Sequence, residues 1–272
     1  VVCFSIADSH AQAIVQPKNV VGTISGNFDV TLSGSSSYSI PIKIAPGTAG
    51  TEPKVALVYD SQASGGSLGA GWSLAGLSAI TRGPKSLYFD GEVDGVRLQE
   101  TDALFLDGQR LVPINTSGTG ATRRVEYRKE VDDQSQIFQI GADFSNSRFL
   151  VRTKGGLTIV FNGAGGSLIR FLGGPTLLQA ASFIFDTTGN FIEFKYNNDG
   201  DGDYDIAEIN YTGRGAVDLA TGQTTVVHPG FASVKFTYTT ATRALEAFVA
   251  GHAIKKKRRL DSIQSVVAKE RG

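Results

Sequence analysis

The chain has 272 residues with 26 basic and 26 acidic side chains, so its overall charge does not favour nucleic acid or an anionic membrane as a partner. Its 33 glycines, well above the usual share of about 7%, indicate many short strands joined by tight turns. No apolar run reaches the roughly 18 residues of a membrane-spanning helix, so we predict no membrane span. We therefore predict a mainly β protein with many short antiparallel strands and hairpins.

The first 13 residues, VVCFSIADSHAQA, resemble the end of a secretory signal. An apolar start is followed by small residues and by Ala11-Gln12-Ala13, which fits an A-x-A cleavage site. The segment lacks an initial Met and a basic region, so it would be a truncated signal, and a disordered terminus is the alternative. Under the first interpretation the mature chain is secreted and loses its single cysteine, Cys3.

The first strands are predicted between residues 28 and 59. Segments 28–32 and 38–44 flank a serine-rich turn, and the second alternates apolar and polar residues, as a strand with one buried face does. Pro41 lacks an amide donor, so we expect this strand to lie at a sheet edge or to bend there. The segment KVALVY at 54–59 provides a third strand.

The next segment, SGGSLGAGWSLAGLSAITR at 64–82, contains the G-x-S-x-G pattern of a serine hydrolase at 65–69. A nucleophile of that type needs a strand running directly into the turn and a helix leaving it. Five residues separate the preceding strand from Gly65, and the following glycines disfavour a helix. We therefore predict that Ser67 is a turn residue and that the glycines allow Trp72 to pack.

The rest of the chain predicts further hairpins. Asp107-Gly108 separates two short apolar runs, and this dipeptide readily forms a type I′ hairpin turn. Other predicted strands occupy 148–161, 183–211, 232–238, 243–249 and 259–266. Residues 118–124 and 212–230 are predicted to be loops, and the second is the expected flexible insertion.

The segment NNDGDGDYDIAE at 197–208 fits the pattern of a calcium-binding loop. Oxygen ligands at alternating positions of a tight loop can converge on a hard cation. The candidate ligands are Asn197, Asp199, Asp201, Asp203, Asp205 and Glu208. Because the flanks resemble strands, we predict a structural Ca²⁺ site in a β-hairpin, similar to those of FG-GAP-type repeats. The alternative is an acidic turn whose Asp and Gly residues serve only the backbone conformation.

A basic run, KKKRR at 255–259, is the only motif that points to nucleic acid. It adjoins an alternating segment and lacks interleaved aromatic residues, so we interpret it as a solvated strand entry or a processing-sensitive linker. We predict no nucleic-acid partner. The three histidines have no metal-ligand spacing to another His or Cys, and the sequence contains no recognisable catalytic constellation, so we predict no enzymatic activity.

Residues 38–85, YSIPIKIAPGTAGTEPKVALVYDSQASGGSLGAGWSLAGLSAITRGPK, closely resemble the signature of the SpvB-like N-terminal domain family. The likeness extends through DGEVDGV and TDALFLDGQRLV and more weakly to RRLDSIQSV, so it covers most of residues 23–265. The family includes the amino-terminal part of a Salmonella virulence plasmid toxin and the B components of insecticidal toxin complexes. FDTTGNFIEFKYN also resembles one YD-type unit of the RHS repeats that often follow this domain.

The resemblance implies a secreted bacterial protein in which residues 14–265 form a β-rich structural domain, a segment of a larger β-sheet shell. Residues 266–272 would begin the downstream region. The implied partners are a downstream RHS/YD-repeat region and a toxic effector domain of the same or a partner chain. In the virulence plasmid protein an actin-modifying enzyme follows this domain, but its R…S-T-S…E-x-E constellation is not found here, so its activity is not carried over.

Two functions follow as expectations. The first is non-enzymatic support for the encapsulation or delivery of a downstream effector. The alternative is a calcium-dependent extracellular binding module centred on residues 197–208.

Overall fold

The computed structural model describes residues 26–30 and 34–268, and most of them lie in strands. The signal predicted at 1–13 and the last four residues of the continuation predicted at 266–272 lie outside the described residues. Within the described ranges, no helix has the length and apolar content needed to cross a membrane. The mainly β class predicted from the glycine content and the hairpin signals is confirmed.

A small antiparallel sheet contains the first four described strands. They are β1 Asn27–Val30, β2 Ser36–Pro41, β3 Ala56–Asp60 and β4 Trp72–Ala75, and they pair in that order. β2 is an inner strand, so the edge position considered for it is wrong. Pro41 is its last residue, and the missing amide donor therefore falls at the end of the strand.

A large sheet contains the other fourteen strands. They are β5 Ala79–Gly83, β6 Ala103–Leu106, β7 Gln109–Ser117, β8 Arg124–Lys129, β9 Gln136–Gly141, β10 Ser147–Arg152, β11 Thr158–Phe161, β12 Leu168–Arg170, β13 Thr176–Phe185, β14 Asn190–Asn198, β15 Tyr204–Val217, β16 Thr224–His228, β17 Ala232–Val249 and β18 His252–Val267. One short helix, α1 Leu87–Asp90, lies between β5 and β6. All strand pairs of both sheets are antiparallel, as the hairpin pattern of the sequence predicts.

Eight strands of the large sheet close into a ring. Neighbours follow the order β11-β10-β9-β8-β7-β6-β5-β13, and β11 also pairs with β13. Because alternate residues of a strand point to opposite faces, one set of side chains from these strands fills the interior. Ile80, Ile137, Phe149 and Phe161 belong to this core, and all four are fully buried. The ring is therefore a packed core and not an open channel.

The remaining strands extend the sheet from β13 through β14, β15 and β17 to β18. Their apolar side chains form a second core, against which the small sheet packs. Val55, next to β3, is buried in this core with Ile209 and Tyr211 of β15. The hydroxyl of Tyr211 also donates a hydrogen bond to the backbone oxygen of Ala45 at 2.9 Å. The small sheet and the extended part of the large sheet therefore share this second core.

Local turn chemistry predicts several of the hairpins correctly. Asp107 and Gly108 have φ angles of 51° and 81°, the left-handed conformations of a type I′ turn, between β6 and β7. The hairpin at 148–161 is β10 and β11, and the meander at 183–211 is β13, β14 and most of β15. The two segments predicted at 232–238 and 243–249 form one strand, β17, with an irregular register between Thr240 and Leu245.

The loop predicted at 212–230 is wrong, because β15 continues to Val217 and β16 pairs with it. Gly213 and Gly215 lie inside β15. A Cβ at Gly213 would lie 2.4 Å from the ring of Phe191, and one at Gly215 would lie 2.4 Å from the backbone oxygen of Thr225. Glycine is required at these strand positions by close approach of neighbouring groups, so it does not mark a loop.

Asp186 connects the loop between β2 and β3 to the turn between β13 and β14. Its carboxylate accepts hydrogen bonds from the hydroxyls of Thr51 and Thr188, both at 2.9 Å, and from the amide of Asn190 at 2.7 Å. Burial alone would raise the pKa of Asp186. The hydrogen bonds outweigh burial and lower the pKa to about 2.

We expect Asp186→Asn to reduce the loss of stability in acid. The pKa of Asp186 is lower in the folded chain than the usual value of about 3.9. Its ionised form therefore contributes stability that is present above about pH 4 and is lost as the pH falls towards about 2. Urea unfolding of both proteins between about pH 6 and about pH 2.5 measures this difference. If the free energy of unfolding falls equally with pH in both proteins, Asp186 does not contribute to the loss of stability in acid.

Candidate functional site

The aspartate-rich segment forms the turn between β14 and β15, and we call residues 199–205 the acidic turn. Gly200 and Gly202 adopt φ angles of 77° and 80°, which allow the chain to reverse. Asn197 and Asp205 face each other as a pair in the ladder between the two strands. Strand pairing therefore fixes the positions of these two candidate calcium ligands.

Glu208 lies farther along β15, opposite Lys195 of β14. Its carboxylate faces two lysines, Lys195 at 3.6 Å and Lys235 at 3.9 Å. Asn210 also donates a hydrogen bond to it at 3.4 Å. The calcium-loop pattern places Glu208 at the last ligand position, whereas the structure places it in a separate group of charges on the strands.

The four aspartates of the acidic turn differ strongly in burial. The side chains of Asp203 and Asp205 are 0% and 5% exposed, whereas those of Asp199 and Asp201 are 48% and 37% exposed. A buried carboxylate without a partner would be very unfavourable, so the two inner aspartates need cationic partners. Asp205 lies in β15 and Asp203 immediately precedes this strand, and both side chains lie near Lys256.

The inner partners come from β18. The Nζ of Lys256 lies 2.8 Å from Oδ1 of Asp203 and 3.6 Å from Oδ1 of Asp205. The Nε of Arg258 donates to Oδ2 of Asp205 at 3.1 Å. These pairs connect two positions on β18 to the two buried carboxylates.

The outer partners come from the same strand. The Nη1 of Arg258 lies 2.7 Å from Oδ2 of Asp199, and Lys257 pairs with Asp201. Burial alone would raise the pKa of Asp201, but its hydrogen bonds with Lys257 and with the backbone amide of Asp203 lower the pKa below its usual range. The hydrogen bond to Asp201 raises the pKa of Lys257 in turn.

The basic run therefore serves a different purpose from the one expected. It lies inside β18 and is not a solvated strand entry. We call residues 255–259 the basic segment. Lys256, Lys257 and Arg258 pair with the acidic turn, and Lys255 pairs with Glu246 of β17 at 3.3 Å. Four of the five cations of the run are therefore engaged within the domain.

Ser67 lies on the glycine-rich loop between β3 and β4 and contacts the same site. Its hydroxyl donates to Oδ1 of Asp205, and its backbone oxygen accepts a hydrogen bond from the amide of Leu260 at 2.7 Å. The backbones of Gly66 and Gly69 bond to each other and close the turn. The predicted turn residue thus joins the small sheet to the acidic turn and to β18. Sequence reasoning missed this contact because 138 positions separate Ser67 from Asp205.

Trp72 lies in β4 beside this site and is half-buried. Its ring packs against that of Tyr59, with 5.4 Å between the ring centroids. Together with Tyr204 and Tyr238, Trp72 lines a cavity of about 280 Å³ that also borders Asp205. Burial raises the pKa of Tyr204 and Tyr238, so both phenols stay neutral at ordinary pH.

The arrangement does not by itself form a metal centre. Across the described ranges 26–30 and 34–268, no group of three or more His, Cys, Asp or Glu side chains is placed to hold a metal ion. Each aspartate of the acidic turn instead faces Lys or Arg. Calcium binding by the six candidate residues stays a prediction, and it would require the ion to displace part of the basic segment.

Ser67→Ala is expected to lower the free energy of unfolding by about 1–3 kcal/mol, because it removes a hydrogen bond to a buried carboxylate. Urea unfolding measures the change. Ser73→Ala is the matched control, since the Ser73 hydroxyl makes only an exposed hydrogen bond at 3.5 Å. Equal effects of the two substitutions would show that the contact between Ser67 and Asp205 contributes nothing.

The fold is shared with components of known toxin structures. The crystal structure of TcdB2-TccC3 matches with a TM-score of 0.72 and 15% identity, covering 96% of this chain and 15% of that chain. A structure of the Photorhabdus luminescens Tc holotoxin pore matches with a TM-score of 0.69 and 14% identity, covering 90% of this chain and 14% of that chain. The chain thus spans about one seventh of the length of these proteins. At such identities the likeness shows the fold.

The comparisons also identify a narrower relationship. The N-terminal domain of the effector protein SpvB from Salmonella typhimurium strain LT2 matches with a TM-score of 0.63 and 14% identity, covering 83% of this chain and 86% of that domain. A family model described as Salmonella virulence plasmid 65kDa B protein matches residues 30–155. The resemblance to the SpvB-like N-terminal domain that the sequence predicts is therefore confirmed. No curated protein sequence matches the chain.

Proposed function

We propose that the chain is a non-enzymatic structural domain of a secreted bacterial toxin or RHS-type protein, which supports the encapsulation or delivery of a downstream effector. The observation that carries this proposal is the fold match to TcdB2-TccC3 over 96% of the chain. The family match at residues 30–155 and the match to the SpvB N-terminal domain point in the same direction. The partners would be an RHS/YD-repeat region and an effector domain of the same or a partner chain.

The chemistry of the described residues agrees with a structural role. The most prominent charged groups, the acidic turn and the basic segment, neutralise each other. The hydroxyl of Ser67, the one residue in a nucleophile-like motif, is bonded to a carboxylate. A serine nucleophile needs a positioned base that accepts its proton, usually a histidine, and an aspartate paired with Arg258 is a poor substitute.

Peptide mapping and intact mass of the natural secreted product test the proposal. We expect repeated YD-type units and a separate effector domain in the same product or in a co-purified chain. A product that contains neither would contradict a role in encapsulation or delivery. Labelling with a fluorophosphonate probe tests the non-enzymatic part, and specific labelling that Ser67→Ala abolishes would overturn it.

The second candidate is a calcium-dependent extracellular binding module. It is favoured by the four carboxylates that the acidic turn brings together within seven residues. Thermal unfolding with calcium and with a chelator, at equal ionic strength, tests it. A rise in the midpoint that magnesium does not reproduce would support the module, and binding to a glycan array should then disappear with chelator. Coincident unfolding curves would contradict it.

A further inference from the structure

The hairpin of β17 and β18 extends beyond the rest of the sheet. β17 pairs with β15 only through residues 232–235, whereas β17 and β18 pair with each other along almost their whole length. We call residues 239–259 the arm. None of its residues is buried. The other long strands of the large sheet, β7, β13, β14 and β15, each contribute buried apolar residues to a core. A two-stranded ribbon without a core is only marginally stable in water, so contacts with the rest of the domain must hold the arm in place.

The contacts that hold the arm are mainly ionic. The basic segment belongs to the arm, and the acidic turn belongs to the domain, so each of their ion pairs crosses between the two. The backbone amide of Lys257 also donates to Oδ2 of Asp203 at 3.3 Å. Two ring contacts add to them, since His252 stacks on Phe171 with 4.5 Å between centroids and the Nζ of Lys256 lies 5.0 Å from the ring centroid of Tyr204.

The arm is also interrupted where it could bend. The register between β17 and β18 shifts between Thr240 and Leu245, so residues 241–244 have no regular partners opposite Lys257. Beyond this interruption the arm exposes apolar side chains, with Leu245 and Phe248 46% and 69% exposed. This break in strand pairing lies beside the ion pairs. It separates the tip of the arm, which contains Leu245 and Phe248, from the part of the arm that is nearest the domain.

We propose that the acidic turn and the basic segment form an electrostatic latch that holds the arm against the domain, and that the arm detaches as a unit when the latch is broken. Detachment leaves the eight-stranded ring and the core beneath the small sheet intact, because the arm contributes no buried residue to either. Detachment of the arm also breaks the hydrogen bond of the Lys257 backbone amide and leaves the carboxylates of the acidic turn without their partners on β18. This inference rests on contacts within the domain and is independent of the proposed function.

Hydrogen exchange of a double variant, Lys257→Gln with Arg258→Gln, tests the latch. We expect amides of residues 245–258 to exchange about tenfold faster or more, because each opening of the arm now breaks fewer contacts. Amides of β9 and β10 in the ring should keep their rates. Lys129→Gln is the matched control, since Lys129 forms an ion pair with Asp133 at 2.6 Å elsewhere on the surface. Unchanged exchange in the arm, or equal acceleration throughout the chain, would overturn the proposal.

The unmodified protein provides a second test that does not depend on the variant folding. Raising NaCl from about 0.1 M to about 1 M shortens the Debye length from about 10 Å to about 3 Å and weakens the half-exposed pairs of Asp199 and Asp201. We expect exchange to accelerate in the arm and not in β9 or β10. Equal salt effects on the arm and on the ring would contradict a latch made of ion pairs.

Discussion

Asp203→Ala should destabilise the domain by about 3 kcal/mol, the lower end of the range for breaking a buried ion pair. Asp203 is fully buried, and its removal leaves Lys256 without its closest carboxylate. Lys256 retains some contact with water and with Asp205, which keeps the expected loss from being larger. Urea unfolding, with the slope of the transition checked for constancy, measures the effect.

Asp201→Ala is the matched control for this change. Asp201 belongs to the same turn and also pairs with a lysine, but its side chain is 37% exposed. Exposed ion pairs contribute about 0–1 kcal/mol, so this substitution should have a small effect. Similar losses for both variants would mean that burial does not control the strength of these pairs. If the acidic turn held calcium, both losses should grow when calcium is added.

Phe149→Ala should lower the free energy of unfolding by about 3–5 kcal/mol. Phe149 of β10 is fully buried inside the ring, with its ring centroid 5.9 Å from that of Phe144 and 6.2 Å from that of Tyr127. Alanine would remove most of these contacts and leave a cavity, because the closed ring limits how far neighbouring strands can move inward. Chemical denaturation followed by circular dichroism measures the change.

Leu172→Ala is the control for Phe149→Ala, because Leu172 is 90% exposed and lies outside the core clusters. We expect its stability to stay within about 0.5 kcal/mol of the unsubstituted chain. A small effect of Phe149→Ala would indicate that the interior of the ring is loosely packed. That result would contradict the closed arrangement of β5 to β11 and β13.

The strands that the sequence predicts correctly are those specified by local signals. Asp107-Gly108 determines its hairpin because the two residues that adopt the left-handed conformation are adjacent. Gly213 and Gly215, inside the segment wrongly predicted as a loop, are the opposite case. They are required by Phe191 and Thr225, which are distant in sequence, and nothing in the local pattern distinguishes them from loop glycines.

The closure of the ring could not be predicted, because it depends on the pairing of β11 with β13, and the strand between them is not part of the ring. The same limit applies to the candidate site. The acidic turn and the basic segment are both visible in the sequence, but local rules treat each one separately. Lys256 and Arg258 alternate on one face of β18, and the carboxylates of Asp203, just before β15, and Asp205, inside it, both contact them. Opposite charges with matching alternation are the signal that could have joined them.

The shell role itself is tested most directly by electron cryo-microscopy of the natural full-length product. We expect residues 34–268 to form part of a closed β-sheet wall, with the ring packed into that wall and polypeptide density enclosed on its inner side. A map in which this region stands alone as a separate module, with no enclosed volume, would contradict the proposed function.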